Sequence, residues 1–312
     1  MGEVSTAAEV LDGIDLTGRT ALVTGGYSGI GIEVVRALAG AGAHVLAPAR
    51  RPEKAARVLA EIDGVEIGTL DLADQRSVAA YAEGVVAGGR TLDIVINNAG
   101  IMACPESRTP PPDGGQGWEL QLATNHLGHY ALVNRLWPVI GDGARVVSVS
   151  STGHQLSDFR WDDPWFEDGY DKWLAYGQSK TANVLFAVHL DALAREQGVR
   201  SFSLHPGAIL TPLGRHLQAE DLDAVMTLDG DGNPVLPDFR SPEQGAATAV
   251  WAATSKELDG RGGDYLEDCA IAEVVPDGPQ TTYGVRRYAL DPDAAARLWA
   301  WSAEVTGVNA LG

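Results

Sequence analysis

Residues 20–24, Thr-Ala-Leu-Val-Thr, form an apolar run of strand length, and Gly25-Gly26-Tyr27-Ser28-Gly29-Ile30-Gly31 follows at once. Beyond the glycines, Ile30, Val34 and Leu38 recur at helical spacing until Gly40 and Gly42 stop the pattern. No other stretch limits the fold so strongly. Strand, tight turn and helix in this order predict a helix that packs back onto a sheet. The glycines either let the backbone approach a pyrophosphate seated on the helix N-terminal amides, or serve a turn that binds nothing.

The same alternation continues. Residues 43–48 read as a second strand, 53–61 as a helix, 65–70 as a third strand and 74–87 as a helix. The apolar run 92–96 is a fourth strand, and Asn97-Asn98-Ala99-Gly100 follows it. This order predicts an α/β fold, a doubly wound (Rossmann) parallel sheet of about seven strands flanked by helices. An acid at the end of the second strand would accept from a ribose 2′-hydroxyl and select NAD, but Ala49 stands there, followed by Arg50 and Arg51. Guanidinium groups suit a 2′-phosphate, so NADP(H) is favoured and NAD(H) stays possible. The plainer alternative is that both arginines merely open the helix 53–61.

Four prolines and three glycines between 105 and 117 make a loop. The helix 118–138 then carries Asn125, His126 and His129. The two histidines lie three apart with no third ligand in sight, so they read as structural rather than as metal ligands. A strand over 144–149 delivers Ser150 and Ser151 to the carboxyl end of the sheet. Further on, Tyr176 and Lys180 stand four apart, on one face of the helix that Tyr176 opens. An ammonium there can lower the phenol pKa. Between these groups, 155–173 holds six acids and six aromatics, Phe159, Trp161, Trp165, Phe166, Tyr170 and Trp173. This insert is either an aromatic wall for a bulky apolar substrate or a flap packed on the protein's own surface or another subunit. A sixth strand over 199–205 leads into Pro206-Gly207-Ala208-Ile209-Leu210-Thr211. In 212–241, Leu213, Leu217, Leu222 and Met226 recur at helix-like intervals. A helix from Pro242 to about 256, a strand over 262–266 and a helix over 292–305 complete the chain. Residues 1–17 read as a lead-in and 18–312 as a single domain.

Thr24-Gly25-x-x-x-Gly29-Ile30-Gly31, Asp71, Asn97-Asn98-Ala99-Gly100, Asn125, Ser151, Tyr176-x-x-x-Lys180 and Pro206-Gly207 stand in one order. In that order they resemble the short-chain dehydrogenase/reductase family, over roughly residues 18 to 306. Asn-His-Leu-Gly-His-Tyr, Ser-Ser-x-x-His154 and the long insert look like its retinol-dehydrogenase-like branch. The resemblance implies hydride transfer between NADP(H) and a carbonyl or alcohol carbon. Tyr176 would be the acid/base, and Lys180 would hold the ribose and depress the Tyr176 pKa. Ser151 would orient the substrate oxygen, with Ser150 as fallback. Asn125 would widen its helix and support a water in the proton relay. The cofactor would meet Gly25, Tyr27, Ser28, Gly29, Ile30 and Gly31, then Arg50, Arg51, Asp71, Leu72, Asn98, Ala99 and Gly100. Beyond these it would meet Tyr176, Lys180, Pro206, Gly207, Ile209 and Thr211. The family keeps a substrate lid near 208–241. The alternatives are an NAD-dependent alcohol dehydrogenase of the same family or a non-catalytic NADP(H)-sensing protein; the glycine spacing disfavours an epimerase or dehydratase.

Composition excludes several partners. A net charge of -19, from 23 Lys+Arg against 42 Asp+Glu, argues against nucleic acid and anionic membrane. No run of about twenty apolar residues is present to span a bilayer. Two cysteines make no disulfide framework or metal site, so a cytoplasmic setting is expected. A small carbonyl or alcohol substrate is the expected partner, with a homo-oligomer possible.

Overall fold

The short apolar strands are buried on both faces, as a parallel sheet between helices requires. In the computed structural model, which describes residues 1–2, 4–110, 117–218, 221, 227–228, 234–235 and 239–311, eight strands share one sheet. β1 (Thr20–Val23), β2 (His44–Leu46), β3 (Val65–Glu66), β4 (Leu92–Asn97), β5 (Ile140–Val149) and β6 (Arg200–Leu204) pair in the order β3-β2-β1-β4-β5-β6, all parallel. Tyr265–Glu267 adds parallel to β6, and Ala270–Ile271 closes the edge antiparallel. That last strand is the one beyond the expected seven. Its hairpin turns on Asp268 and Cys269, both at positive φ (53° and 55°), although neither is the glycine or asparagine that usually announces such a turn.

The strand order reverses between β1 and β4, which opens a crevice at their carboxyl ends. Side chains alternate across β1: Ala21 and Val23 enter one core layer and Leu22 the other. The first layer packs under helices Ile30–Gly40 and Pro242–Thr254. Part of the expected lead-in belongs to it, since Ala7, Val10, Leu11 and Leu16 are buried there. The second layer packs under Gln75–Ala87, the helical stretch 120–136, Lys172–Ala194 and Pro292–Thr306.

Two sequence expectations change. The helix bearing Tyr176 begins at Lys172, because the Asp171 carboxylate caps the amides of Trp173 and Leu174 at 2.8 Å. β5 starts four residues early, at Ile140. The helix Lys172–Ala194 also packs on the chain's own closing helix: Trp299 stacks on Phe186 at 5.7 Å and meets Tyr130 edge-on at 4.9 Å. Of the segment 212–241, Leu213 lies in a short turn of 3₁₀ helix, Pro212–His216, while Leu222 and Met226 lie outside the described residues. No helix among the described residues is long and apolar enough to cross a membrane.

Candidate active site

The glycine turn closes so tightly that side chains are excluded. Gly25 and Gly29 have φ of 66° and 55°, and a Cβ on Gly31 would stand 2.4 Å from the Gly25 carbonyl oxygen. Gly29 caps the helix Ile30–Gly40 without contributing a side chain, so backbone alone faces the crevice. Tyr27, Ser28 and Ile30 are half-buried along it. From far along the chain, Thr211 reaches the same turn: a Cβ on Gly29 would meet its Cβ at 3.1 Å. Ile209 in turn packs on Gly245, where a Cβ would lie 2.7 Å from its Cγ1. The segment Pro206-Gly207 to Thr211 therefore roofs the crevice that the glycine turn floors. A cradle of this shape, open in backbone and closed to any Cβ, fits a dinucleotide pyrophosphate.

Arg50 and Arg51 follow β2 on the exposed side. Arg51 occupies the cap position of helix Pro52–Val58 but makes no side-chain capping bond, and Pro52 stands at the first helical position. Neither guanidinium has a hydrogen bond or ion pair among the described residues. Arg51 does open the helix through its main chain, its carbonyl accepting from Lys54 N at 3.0 Å and Ala55 N at 3.2 Å, and this leaves both guanidinium groups uncommitted. Asp71 is half-buried, its carboxylate accepting from the Ala73 amide at 3.0 Å. Leu72 is buried against the helical stretch 120–136, which Gly128 permits: a Cβ there would stand 2.4 Å from the Leu72 carbonyl.

Asn125 sits inside a π segment, Ala123–Leu127, where the helix widens by one residue. Its amide is fully engaged, accepting from Ile101 N at 2.9 Å and donating to Ile101 O at 3.0 Å and Ser179 Oγ at 2.9 Å. Gly100 marks the point of convergence. A Cβ on it would lie 3.4 Å from Asn125 Oδ1 and 3.5 Å from Lys180 Nζ. Asn98 and Ala99 anchor the loop to the turn, each amide donating to Thr24 Oγ1 at 3.0 Å. Lys180 Nζ donates to Val149 O at 3.0 Å and lies 5.6 Å from the Tyr176 ring centroid. Ser150 turns away from this group, its hydroxyl donating to Lys180 O at 2.8 Å. Ser151 Oγ accepts from Gly153 N at 3.0 Å, and a Cβ on Gly153 would meet both Ser151 Oγ, at 3.3 Å, and Tyr176 Cε1, at 2.6 Å.

Electrostatics differ from the expected depression of Tyr176. Burial pushes the phenol up to about 12, with only the Ser151 hydroxyl pulling it down. Burial also drives Lys180 down to about 8. The lysine therefore holds a titratable amine at the site's centre, and the phenol is protonated near neutral pH.

Several contributors carried no sequence signal. Gly153 and Gly177 let the Ser151 loop lie on the helix: Cβ atoms there would stand 2.6 Å from Tyr176 Cε1 and 2.9 Å from Gly153 O. Asn183 Nδ2 shares Val149 O with Lys180, at 3.1 Å. The insert proves to be a flap on the protein's own surface. Trp165 stacks on Trp118 at 6.1 Å and meets Trp301 at 5.3 Å, while Phe159 meets Trp301 at 5.1 Å. Of the six insert aromatics, Trp173 is the one with a ring contact to Tyr176, edge-on at 6.5 Å, and its Nε1 donates to Asp221 at 3.2 Å. His126 and His129 bond to Ser302 and Thr24, each at 2.8 Å. No cluster of three or more metal-ligating side chains occurs among the described residues.

The chain is similar to known proteins. A sequence model described as short chain dehydrogenase matches residues 19–222. A "Probable oxidoreductase" of Streptomyces lividans is 46% identical over 300 residues, covering 93% of this chain and 98% of its own. "Retinol dehydrogenase 12" of Homo sapiens is 34% identical, covering 95% and 89%. A crystal structure of an uncharacterized protein from Mycobacterium Paratuberculosis superposes with a TM-score of 0.74 at 33% identity, covering 99% of both chains.

Proposed function

This chain belongs to the short-chain dehydrogenase/reductase family, in its retinol-dehydrogenase-like branch, and on that footing we propose that it is an NADP(H)-dependent enzyme interconverting a carbonyl and an alcohol. The observation that carries the reading is a chain of close approaches, Asn125 and Lys180 at Gly100, Lys180 beside the Tyr176 ring and Tyr176 with Ser151 at Gly153, next to a glycine cradle that admits no Cβ. When bound, the nicotinamide group supplies or accepts the hydride. The chain's own residues do the rest. Ser151 Oγ–H holds the substrate oxygen, and Tyr176 Oη gives it a proton in reduction or takes one in oxidation. The Lys180 ammonium holds the ribose hydroxyls and returns a proton to Tyr176 through water at Asn125. Gly25, Gly29, Gly31 and Thr211 would cradle the pyrophosphate, Asp71 and Leu72 the adenine, and Asn98 to Gly100 with Pro206, Gly207 and Ile209 the nicotinamide end. Arg50 and Arg51, whose guanidinium groups have no partner among the described residues, support a 2′-phosphate and hence NADP(H).

Trp173, edge-on to Tyr176, supports a small to mid-sized apolar or aromatic substrate. We place the enzyme in a single domain over 18–312 that also takes in the buried part of the lead-in, with a lid near 208–241, acting in the cytoplasm. The test is turnover of ketones and aldehydes graded in size and aromaticity, with NADPH against NADH. Tyr176→Phe should bind NADPH as the wild type does and lose about 10²–10⁴-fold in kcat. Full activity in that variant would sink the assignment. NADPH binding with no turnover across the whole panel would instead favour a non-catalytic sensor.

A further inference from the structure

A file of hydrogen bonds crosses the buried centre of the molecule from the glycine turn to the π segment. Asn98 N and Ala99 N donate to Thr24 Oγ1 at 3.0 Å each. Thr24 Oγ1 lies 2.8 Å from His129 Nε2, and His129 Nδ1 lies 2.9 Å from the Asn125 main-chain oxygen. Which atoms carry hydrogen follows from what each can do. A carbonyl oxygen only accepts, so Nδ1 bears the proton that joins His129 to Asn125. Burial drives His129 down to about 4, so the ring is neutral near pH 7 and Nε2 is bare. Bare Nε2 takes the Thr24 hydroxyl hydrogen, whose other acceptor, Ile96 O, is farther away at 3.5 Å. Every donor in the file points the same way, from the amides through Thr24 and His129 to Asn125.

We propose that His129 is a positioning residue that couples the cofactor turn to the Asn125 carbonyl, holding that carbonyl in place for the water through which Tyr176 and Lys180 exchange protons. This rests on the hydride-transfer reading of Tyr176 and Lys180. Packing alone does not account for the residue. An apolar side chain of equal volume would leave the Asn125 carbonyl and the Thr24 hydroxyl short of a partner in a buried place. A metal role is not supported either, because His126 turns to Ser302 in the closing helix.

Three substitutions separate the two ends of the ring. His129→Asn keeps an amide donor near the Nδ1 position, His129→Gln keeps an acceptor near Nε2, and His129→Leu removes both. With NADPH and a turned-over carbonyl, His129→Leu should lose roughly a hundredfold in kcat, from two buried hydrogen bonds at about tenfold each. His129→Asn should recover most of that loss and His129→Gln little of it, while NADPH affinity in His129→Gln stays at the wild-type value. The solvent isotope effect on kcat should rise in His129→Leu and His129→Gln. If all three variants instead lose activity in proportion to thermal stability, with no difference between Asn and Gln, His129 is packing and the proposal fails. A second readout does not depend on turnover. Imidazole nitrogen NMR should report the neutral Nδ1–H form of His129, with resonances that move on NADPH addition in the wild type but not in Thr24→Val. A proton on Nε2, or resonances indifferent to NADPH, would overturn the coupling even in an active enzyme. A chain that turns over no carbonyl yet shows the NMR response would overturn the activity and keep the coupling.

Discussion

Between Thr24 and Gly31 the chain is held by backbone approaches that exclude a single methyl group, whereas between 155 and 173 it is held by rings. The turn is fixed by close approaches, and its specificity lies in which positions lack a Cβ: a Cβ on Gly31 would stand 2.4 Å from Gly25 O and 2.7 Å from Asn98 Nδ2. The insert makes its contacts through Phe159, Trp161 and Trp165 against Trp118, just ahead of the helical stretch 120–136, and Arg297 and Trp301 of the closing helix. The first region is brittle locally and depends on little else. The second distributes its stabilisation over many apolar contacts, and so depends on the closing helix being present. Both end at Tyr176, one through the cofactor crevice and one through Trp173.

The comparison breaks most visibly at the closing helix. Trp299→Ala removes the ring stacked on Phe186 and should lower stability by about 3–5 kcal/mol in denaturant unfolding. NADPH affinity in the molecules that remain folded should be unchanged; a parallel loss of affinity would show that the two regions are not separable. The converse is Gly31→Ala, which should weaken NADPH binding roughly a hundredfold, about 2.7 kcal/mol by fluorescence titration. The aromatic cluster should be intact by near-UV circular dichroism.

Acid should act on both regions at once. His126 is held down to about 3 by burial and His154 to about 4 by burial, opposed by the Ser151 carbonyl bond. Each is below the unfolded value near 6.5, so the unfolded chain binds the extra protons. Stability is fully present above pH 6.5 and should fall as pH drops from there toward 4, by roughly 1–2 kcal/mol per ring at pH 5. A melting temperature flat between pH 7 and pH 5 would contradict this. The smallest effect is expected where the turn meets solvent. Arg50→Asp should move the NADPH-to-NADH affinity ratio by about tenfold toward NADH, and leave both stability and the insert unaffected. No change in the ratio would remove the 2′-phosphate reading.

These contrasts separate what is legible in one dimension from what is not. Spacing of glycines, strand-length apolar runs and the four-residue interval from Tyr176 to Lys180 are local properties, set by backbone sterics and helix geometry. From them followed the βαβ order, the parallel sheet and the crevice at the carboxyl ends of β1 and β4. The extra antiparallel strand escaped because its turn runs through Asp268 and Cys269 with no glycine, and cysteine rarely takes positive φ. Helix onset at Lys172 was hidden because its cap, Asp171, looked like one more acid of the insert. Long-range matters were decided only by the tertiary structure. It brought Thr211 onto Gly29, laid Gly153 on the Tyr176 ring, turned five of the six insert aromatics away from that ring, and aligned Thr24, His129 and Asn125. The physical reason is that burial and hydrogen-bond pairing depend on which distant segments share a volume. Chain order constrains that sharing only through the sheet, so residue types and intervals foretold the chemistry, while packing decided the pKa values and the partners that tune it.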